Sequence, residues 1–272
     1  MIKDQKLIHL LNIRSISHLF HVTDENNNLA LISYNDFTPE NNKELFRLWK
    51  SKNENGDESI PELYRGLVVD VKTGIIYAKS YPYTPEFIKK PSYFTKFLTR
   101  YKNYKLYEFV EGIIIRAYTY NNELHISTHR KLNFAEAKWY NNFLFIDQLR
   151  DACLNLKITI DELKNMLKDE NKCFVLLLVH PENQLLNQSE VTATLYHLTT
   201  YVRIHNNLVE KDVNVNLPKQ NSLSVEQAQN IINLNKCVVV STSNFDVKFT
   251  PDRKSTRLNS SHSGESRMPS SA

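Results

Sequence analysis

Glu108-Phe109-Val110-Glu111-Gly112-Ile113-Ile114-Ile115-Arg116-Ala117-Tyr118-Thr119-Tyr120-Asn121-Asn122-Glu123-Leu124-His125-Ile126-Ser127-Thr128-His129 is the stretch that decides how the chain reads. Gly112 to Tyr120 is rich in β-branched and aromatic residues, the composition of a strand. Asn121-Asn122, a pair that tolerates positive φ, turns it into a return strand from Glu123 to His129. On that return Leu124, Ile126 and Thr128 share one face, and His125, Ser127 and His129 share the other. A glycine inside a strand marks either a close backbone approach or a bulge, which makes Gly112 informative.

Working outward, a second hairpin is expected upstream. Gly66–Val71 leads into a turn at Lys72-Thr73-Gly74 and returns as Ile75–Lys79. An opening amphipathic segment places Ile2, Leu7, Leu10 and Leu11 on one helical face, and Asn41/Asn42 can cap a short helix carrying Leu45, Leu48 and Trp49. Downstream, a helix is predicted from Phe134 to Cys153, with Trp139, Phe143, Phe145, Ile146 and Leu149 as its apolar bulk. Thr159-Ile160-Asp161-Glu162 is a capping box that opens another helix, and Ser224 with Gln227 opens one running through Leu234. Phe174–Val179 reads as a strand buried on both faces, and Val238–Val240 with Val247–Phe249 as a closing hairpin. No repeat and no Gly/Ser/Pro-rich linker divides residues 1–251, so the expectation is one α+β domain. Its body is 63–251, with 1–62 as a helical and strand lead-in.

Composition removes several functional classes. Only 5 of 272 residues are glycine, against an average near ~7%. Phosphate-cradling loops need clustered glycines, and Gly56, Gly66, Gly74, Gly112 and Gly264 are too dispersed for any of them. Net charge is +4, from 34 basic and 30 acidic residues. Cys153, Cys173 and Cys237 lie far apart, with no CxxC or Cys/His ligand cluster, so neither a disulfide framework nor a metal site is expected. His125 and His129 lie on a strand hairpin with no third ligand nearby. No apolar run approaches the ~20 residues needed to span a bilayer, and no signal peptide is expected, so the reading is intracellular and cytoplasmic, without a membrane partner. Residues 252–272 are serine-rich and aperiodic, as a disordered tail is. They also closely resemble translated sequencing-adapter read-through, which would place the natural sequence's interruption near Pro251.

The ordered set of motifs from Leu63 to Phe249 resembles the phage-type ATP-dependent RNA ligases and their relatives in large DNA viruses. Arg65-Gly66-Leu67-Val68-Val69-Asp70 is similar to the family's upstream strand of Arg-Gly, hydrophobic and acidic residues. Lys79-Ser80-Tyr81-Pro82-Tyr83 resembles the segment after it. Glu108 to Gly112 sits where the family has E-K-x-D-G, its nucleotidylation motif, and Ser127-Thr128-His129-Arg130-Lys131 resembles the next strand's motif. Phe174–Leu178 with His180-Pro181-Glu182-Asn183-Gln184 resembles the inner strand and its following turn, and Tyr196-His197-Leu198 the short strand after that. Lys236-Cys237-Val238-Val239 and Val247-Lys248-Phe249 take the places of the last two motif strands.

The resemblance implies an ATP-grasp-like nucleotidyltransferase fold of mixed or antiparallel sheets with flanking helices, RNA as partner, and ATP with Mg2+ as cofactors where the protein is active. It says nothing of oligomeric state. In that family a lysine amine attacks the α-phosphate of ATP, forming a lysyl-AMP that is passed to RNA. Here Phe109 holds the lysine's position and has no lone pair to attack with. Lys105, seven residues before Gly112, is a weak substitute that needs a change of register. The inner strand lacks the family's acid, Gln184 replaces an arginine, Lys236 a glutamate and Tyr83 a lysine. What remains for nucleotide is Arg65, Gly66, Glu111, Gly112 and Lys248, and for phosphate or RNA Ser127, Arg130 and Lys131. Each has a plainer reading: a strand-edge arginine, a bulge, a solvated basic corner, an exposed terminal lysine. Tyr101, Tyr104, Tyr107 and Phe109 could stack bases or simply fill a core. The expected function is thus an RNA ligase-like protein that binds nucleotide or RNA ends; the alternatives are an active ligase with a displaced lysine, and a non-catalytic interaction protein.

Overall fold

The computed structural model describes residues 5–11, 17–26, 28–34, 65–81, 84, 86–101, 103–138, 143–183, 191–205, 207–242 and 246–251. In chain order the elements are α1 (Gln5–Leu10), β1 (Phe20–Asn26), β2 (Leu29–Tyr34), β3 (Leu67–Asp70), β4 (Ile76–Ala78), β5 (Glu86–Lys89), α2 (Tyr93–Leu98) and β6 (Tyr104–Glu108). They continue with β7 (Ile113–Tyr120), β8 (Glu123–Thr128), α3 (Phe145–Asn155), α4 (Ile160–Leu167), β9 (Lys172–Val179), β10 (Thr194–Ile204), β11 (Asn207–Lys211), α5 (Val225–Asn233), β12 (Val238–Thr242) and β13 (Asp246–Pro251). They fall into two compact units: Met1–Tyr81 with Gly112–Lys219, and Pro82–Glu111 with Gln220–Ala272.

The first unit holds two sheets, ordered β1-β2-β3-β4 and β11-β10-β9-β7-β8. The larger sheet is covered on both sides. On one face Ile113, Ile115, Ala117, Phe174, Leu176 and Leu178 pack against Phe145, Leu149, Ala152, Leu163 and Leu167 of α3 and α4. On the other, Tyr118, Tyr120, Cys173, Val175 and Tyr201 meet Leu29, Leu31, Val68 and Ala78 of the smaller sheet. Two-sided burial is why β9 carries an unbroken apolar run. The expected hairpin is present: Asn121 and Asn122 have φ of 51° and 64°, joining β7 to β8. The 66–79 hairpin is also present, with Gly74 at φ 76°.

The second unit is a four-stranded sheet, β5-β13-β12-β6, in which β5 runs parallel to β13 and the other pairs are antiparallel. Phe94, Phe97 and Leu98 of α2 and Ala228 and Ile232 of α5 cover Leu106, Val238, Val240, Val247 and Phe249. Tyr101 and Tyr104 are partly buried against this core, so they fill it. Both expected capping boxes form, at Thr159 with Glu162 and at Ser224 with Gln227.

Three expectations are corrected. The 134–153 helix is two pieces: a single tight turn at Phe134–Glu136, capped by the Asn133 side chain, then extended chain at Ala137 and Leu144 before α3 begins at Phe145. In α1 Leu7 and Ile8 are buried while Leu10 is exposed, so the apolar face is rotated from the one expected. The strand around Tyr196–Leu198 runs eleven residues, Thr194–Ile204. The helix expected after Asn41, Ile2, Tyr83, Trp139, Gln184 and the 252–272 tail lie outside the described residues.

Candidate functional site

In the first unit the sequence motifs converge on one buried knot, and its centre is a residue the motif reading passed over. Arg116 stands on β7, four residues beyond Gly112 and on the same strand face, and is fully buried. Its Nη1 donates to the Gly66 carbonyl, and its Nη2 donates to the Thr128 carbonyl and, at 3.0 Å, to Ser127 Oγ. One guanidinium thus ties the start of β3 to the end of β8. Burial lowers its pKa to about 10, which leaves it charged at neutral pH. A lone arginine interrupting Ile113-Ile114-Ile115-Arg116-Ala117-Tyr118 is the signal that could have found it.

The surrounding groups are fixed with equal economy. Gly66 adopts φ +69°, and a Cβ there would lie 2.7 Å from His129 Cα, so both conformation and space require glycine. Its N–H donates to Ser33 Oγ (3.1 Å), and that hydroxyl donates to the His129 carbonyl (3.2 Å). Thr128 Oγ1 accepts the N–H groups of Arg130 (3.2 Å) and Lys131 (3.0 Å), and Thr128 N donates to Lys131 O (2.9 Å). The turn that carries both cations is therefore held from within. Arg65 is buried, Arg130 half-buried and Lys131 exposed. Burial first, then the charges of Arg65, Arg116 and Arg130, hold His129 well below its ordinary value of 6.5. Arg65, Gly66, Ser127, Arg130 and Lys131 are thus brought together. At Gly112 a Cβ would meet the Leu178 carbonyl at 2.6 Å, so the glycine permits β7 and β9 to approach.

The remaining sequence candidates belong to the second unit. Phe109 donates its N–H to the Cys237 carbonyl (3.1 Å). The Lys248 ammonium lies 4.0 Å from the centre of the Phe109 ring and 3.5 Å from Glu86 Oε1. Lys248 is 5% exposed, so it is no solvated terminal lysine. Thr250 Oγ1 donates to the same Glu86 oxygen at 2.6 Å. Glu111 is buried at the end of the stretch that leaves this unit. Lys105 is exposed on β6, paired with Ser241. Lys236, where the resemblance expects a glutamate, forms an ion pair with Glu108 at 3.5 Å.

Among the described residues no group of three or more His, Cys, Asp or Glu side chains could hold a metal ion, and no helix is long and apolar enough to cross a membrane. No protein-family model and no curated protein matches the sequence. Solved structures do match. One form of an archaeal ATP-dependent RNA ligase aligns with a TM-score of 0.51 at 12% identity, over 92% of this chain and 65% of its own. A second form gives 0.49 at 9% identity, over the same shares. A protein of Aquifex aeolicus provisionally assigned as an ATP-dependent DNA ligase gives 0.48 at 15% identity, over 89% of this chain and 62% of its own. This chain therefore spans less than two thirds of the length of those structures. At such identities the likeness carries the fold and nothing finer: this chain has the α+β nucleotidyltransferase fold of the archaeal ATP-dependent RNA ligase.

Proposed function

We propose that the chain is an RNA ligase-like protein, a degenerate relative of the phage and large-virus enzymes, that binds a nucleotide or RNA end and does not form the covalent lysyl-nucleotide. The observation that carries this reading is Phe109 at the motif position, its ring covered by the Lys248 ammonium at 4.0 Å. Covalent nucleotidyl transfer needs a neutral amine at that point, and an aromatic ring supplies none. Arg65, Gly66, Ser127, Arg130 and Lys131 in the first unit are assigned to phosphate and nucleotide. Gly112 there, and Glu111 and Lys248 in the second, are assigned to nucleotide.

ATP and Mg2+ are the implied ligands, and the residues fit them unequally. The cations suit a polyphosphate. The inner strand Lys172–Val179 offers no carboxylate to a metal, so Mg2+ would arrive on the nucleotide's own phosphates. The test is incubation with α-labelled ATP or GTP and Mg2+, followed by denaturing electrophoresis. The expected result is no label on the protein, with equilibrium dialysis showing that ATP or 5′-phosphorylated RNA is bound. Binding of neither ligand would favour the third reading, a protein that keeps the fold for interaction alone.

A second reading has one specific observation behind it: an active ligase whose amine is displaced. The amine brought to position 109 belongs to Lys248, with Glu86 at 3.5 Å to take its proton, whereas Lys105 is exposed on β6. A label that survives denaturation and disappears in Lys248→Ala but not in Lys105→Ala would establish this second reading and overturn the first.

A further inference from the structure

Arg116 carries a formal charge in a fully buried position, and its three acceptors are all neutral: two carbonyl oxygens and a hydroxyl. Its Nε has no acceptor at all among the described residues. Arg130, on the adjoining turn, likewise forms no ion pair among them. Buried charges are ordinarily paired, because an unpaired one gives up its hydration with nothing to offset the loss. Here Arg116 and Arg130, with Arg65, all act on His129, and among the described residues neither Arg116 nor Arg130 forms an ion pair with a carboxylate. Water screens a buried charge poorly, so the field of Arg116 reaches whatever binds beside it.

We propose that Arg116 is a positioning residue that makes the Arg130–Lys131 turn a site for a phosphomonoester dianion, preferred over an internal phosphodiester. The inference rests on the nucleotide- or RNA-end reading above and deepens it. Two mechanisms act together. By holding the Thr128 carbonyl and the Ser127 hydroxyl, Arg116 fixes the strand end from which Thr128 Oγ1 grips the N–H groups of Arg130 and Lys131. By remaining charged and unpaired, it adds a second positive charge to that of Arg130. A terminal phosphate carries ~1.5 to 2 negative charges at neutral pH, roughly twice the charge of a diester. Two uncompensated cations therefore favour the terminal group, and the side chains that touch it are those of Arg130 and Lys131.

The same dianion can sit on an RNA end or on a mononucleotide, so the test has two arms. Binding of one oligoribonucleotide is measured with a terminal phosphate and with hydroxyl ends, and binding of AMP is compared with adenosine, all on the full chain. The phosphorylated member of a preferred pair is expected to bind about tenfold tighter, the scale of one charge-assisted contact. Preference in the first pair alone identifies an RNA end, and preference in the second a nucleotide. Arg116→Met is expected to bring the ratio to near one. Arg116→Lys, which keeps charge but loses the planar fork, is expected to restore part of it. If Arg116→Met does not fold, Arg130→Gln, at a half-exposed position, must lower the ratio. Equal binding of both members of both pairs by the native protein overturns the inference while the parent reading stands. An unchanged ratio in folded Arg116→Met, or in Arg130→Gln, also overturns it. Absence of binding to every probe sinks both.

Discussion

At the scale of single residues, Gly66 carries a constraint that no residue with a side chain satisfies. Gly66 combines φ +69° with a Cβ position 2.7 Å from the His129 backbone. Gly66→Ala is expected to cost about 1–3 kcal/mol, seen as a lower urea midpoint, since strain of that order attends a forced left-handed residue. An unchanged midpoint would mean the turn relaxes freely. Phe109 makes the opposite case: its ring is the partner of a buried cation. Phe109→Leu keeps the apolar bulk and removes the ring face from under Lys248. A loss of about 0.5–2 kcal/mol is expected from the missing cation–π contact. Equal denaturant stability of the two proteins would show the contact to be idle. Both residues were visible in the sequence, because motif spacing singles out positions. Arg116 was not, because β7 is buried on both faces and an unalternating strand gives no phase by which to judge an inward charge.

At the scale of elements, what was legible was what is encoded locally. Asn121-Asn122 and the two capping boxes need only a few consecutive residues, and all three form as read. Thr159→Ala in α4 and Ser224→Ala in α5 are each expected to cost about 1 kcal/mol, measured by chemical denaturation. A negligible loss in either would mean that packing alone holds that helix. Elements whose extent depends on partners were misjudged. The 134–153 segment has apolar residues at helical spacing, yet Ala137 and Leu144 are extended and Lys138 bridges to Leu144. The length of β10 follows from having β9 on one side and β11 on the other, which Tyr196-His197-Leu198 alone cannot declare. β1, β2, α2 and β6 carried too weak a periodicity to be read.

At the scale of the molecule, acid response follows from two neutral histidines, both in the first unit. His129 is held well below 6.5 by burial and by three arginines. His197 is lowered by burial, then by Lys219; its Nε2 lies 2.8 Å from Thr200 Oγ1 and its Nδ1 has no partner among the described residues. The folded state keeps both rings neutral, whereas the unfolded chain takes up protons near 6.5. Their contribution is complete above that pH and is lost as pH falls from about 6.5 toward the depressed folded values. The melting temperature of the first unit is expected to be level from pH 8 to 7 and to decline below 6.5. His197→Gln should flatten part of that decline. A profile level down to pH 5 would show that neither ring is held neutral.

The division of the chain into interleaved stretches imposes an order on biosynthesis. Every residue of the first unit has been translated once Lys219 is reached, whereas β5, α2 and β6 were made earlier and wait for β12 and β13. Until β12 and β13 are made, Phe94, Phe97 and Leu106 lack Val238, Val240, Val247 and Phe249, which complete their core. At ordinary elongation rates the gap from Lys219 to Pro251 lasts on the order of seconds, long enough for the first unit to fold around an unfinished excursion. The nascent protein therefore passes through a half-built state in which the aromatic segment Tyr93–Tyr101 is open to chaperones and to proteases.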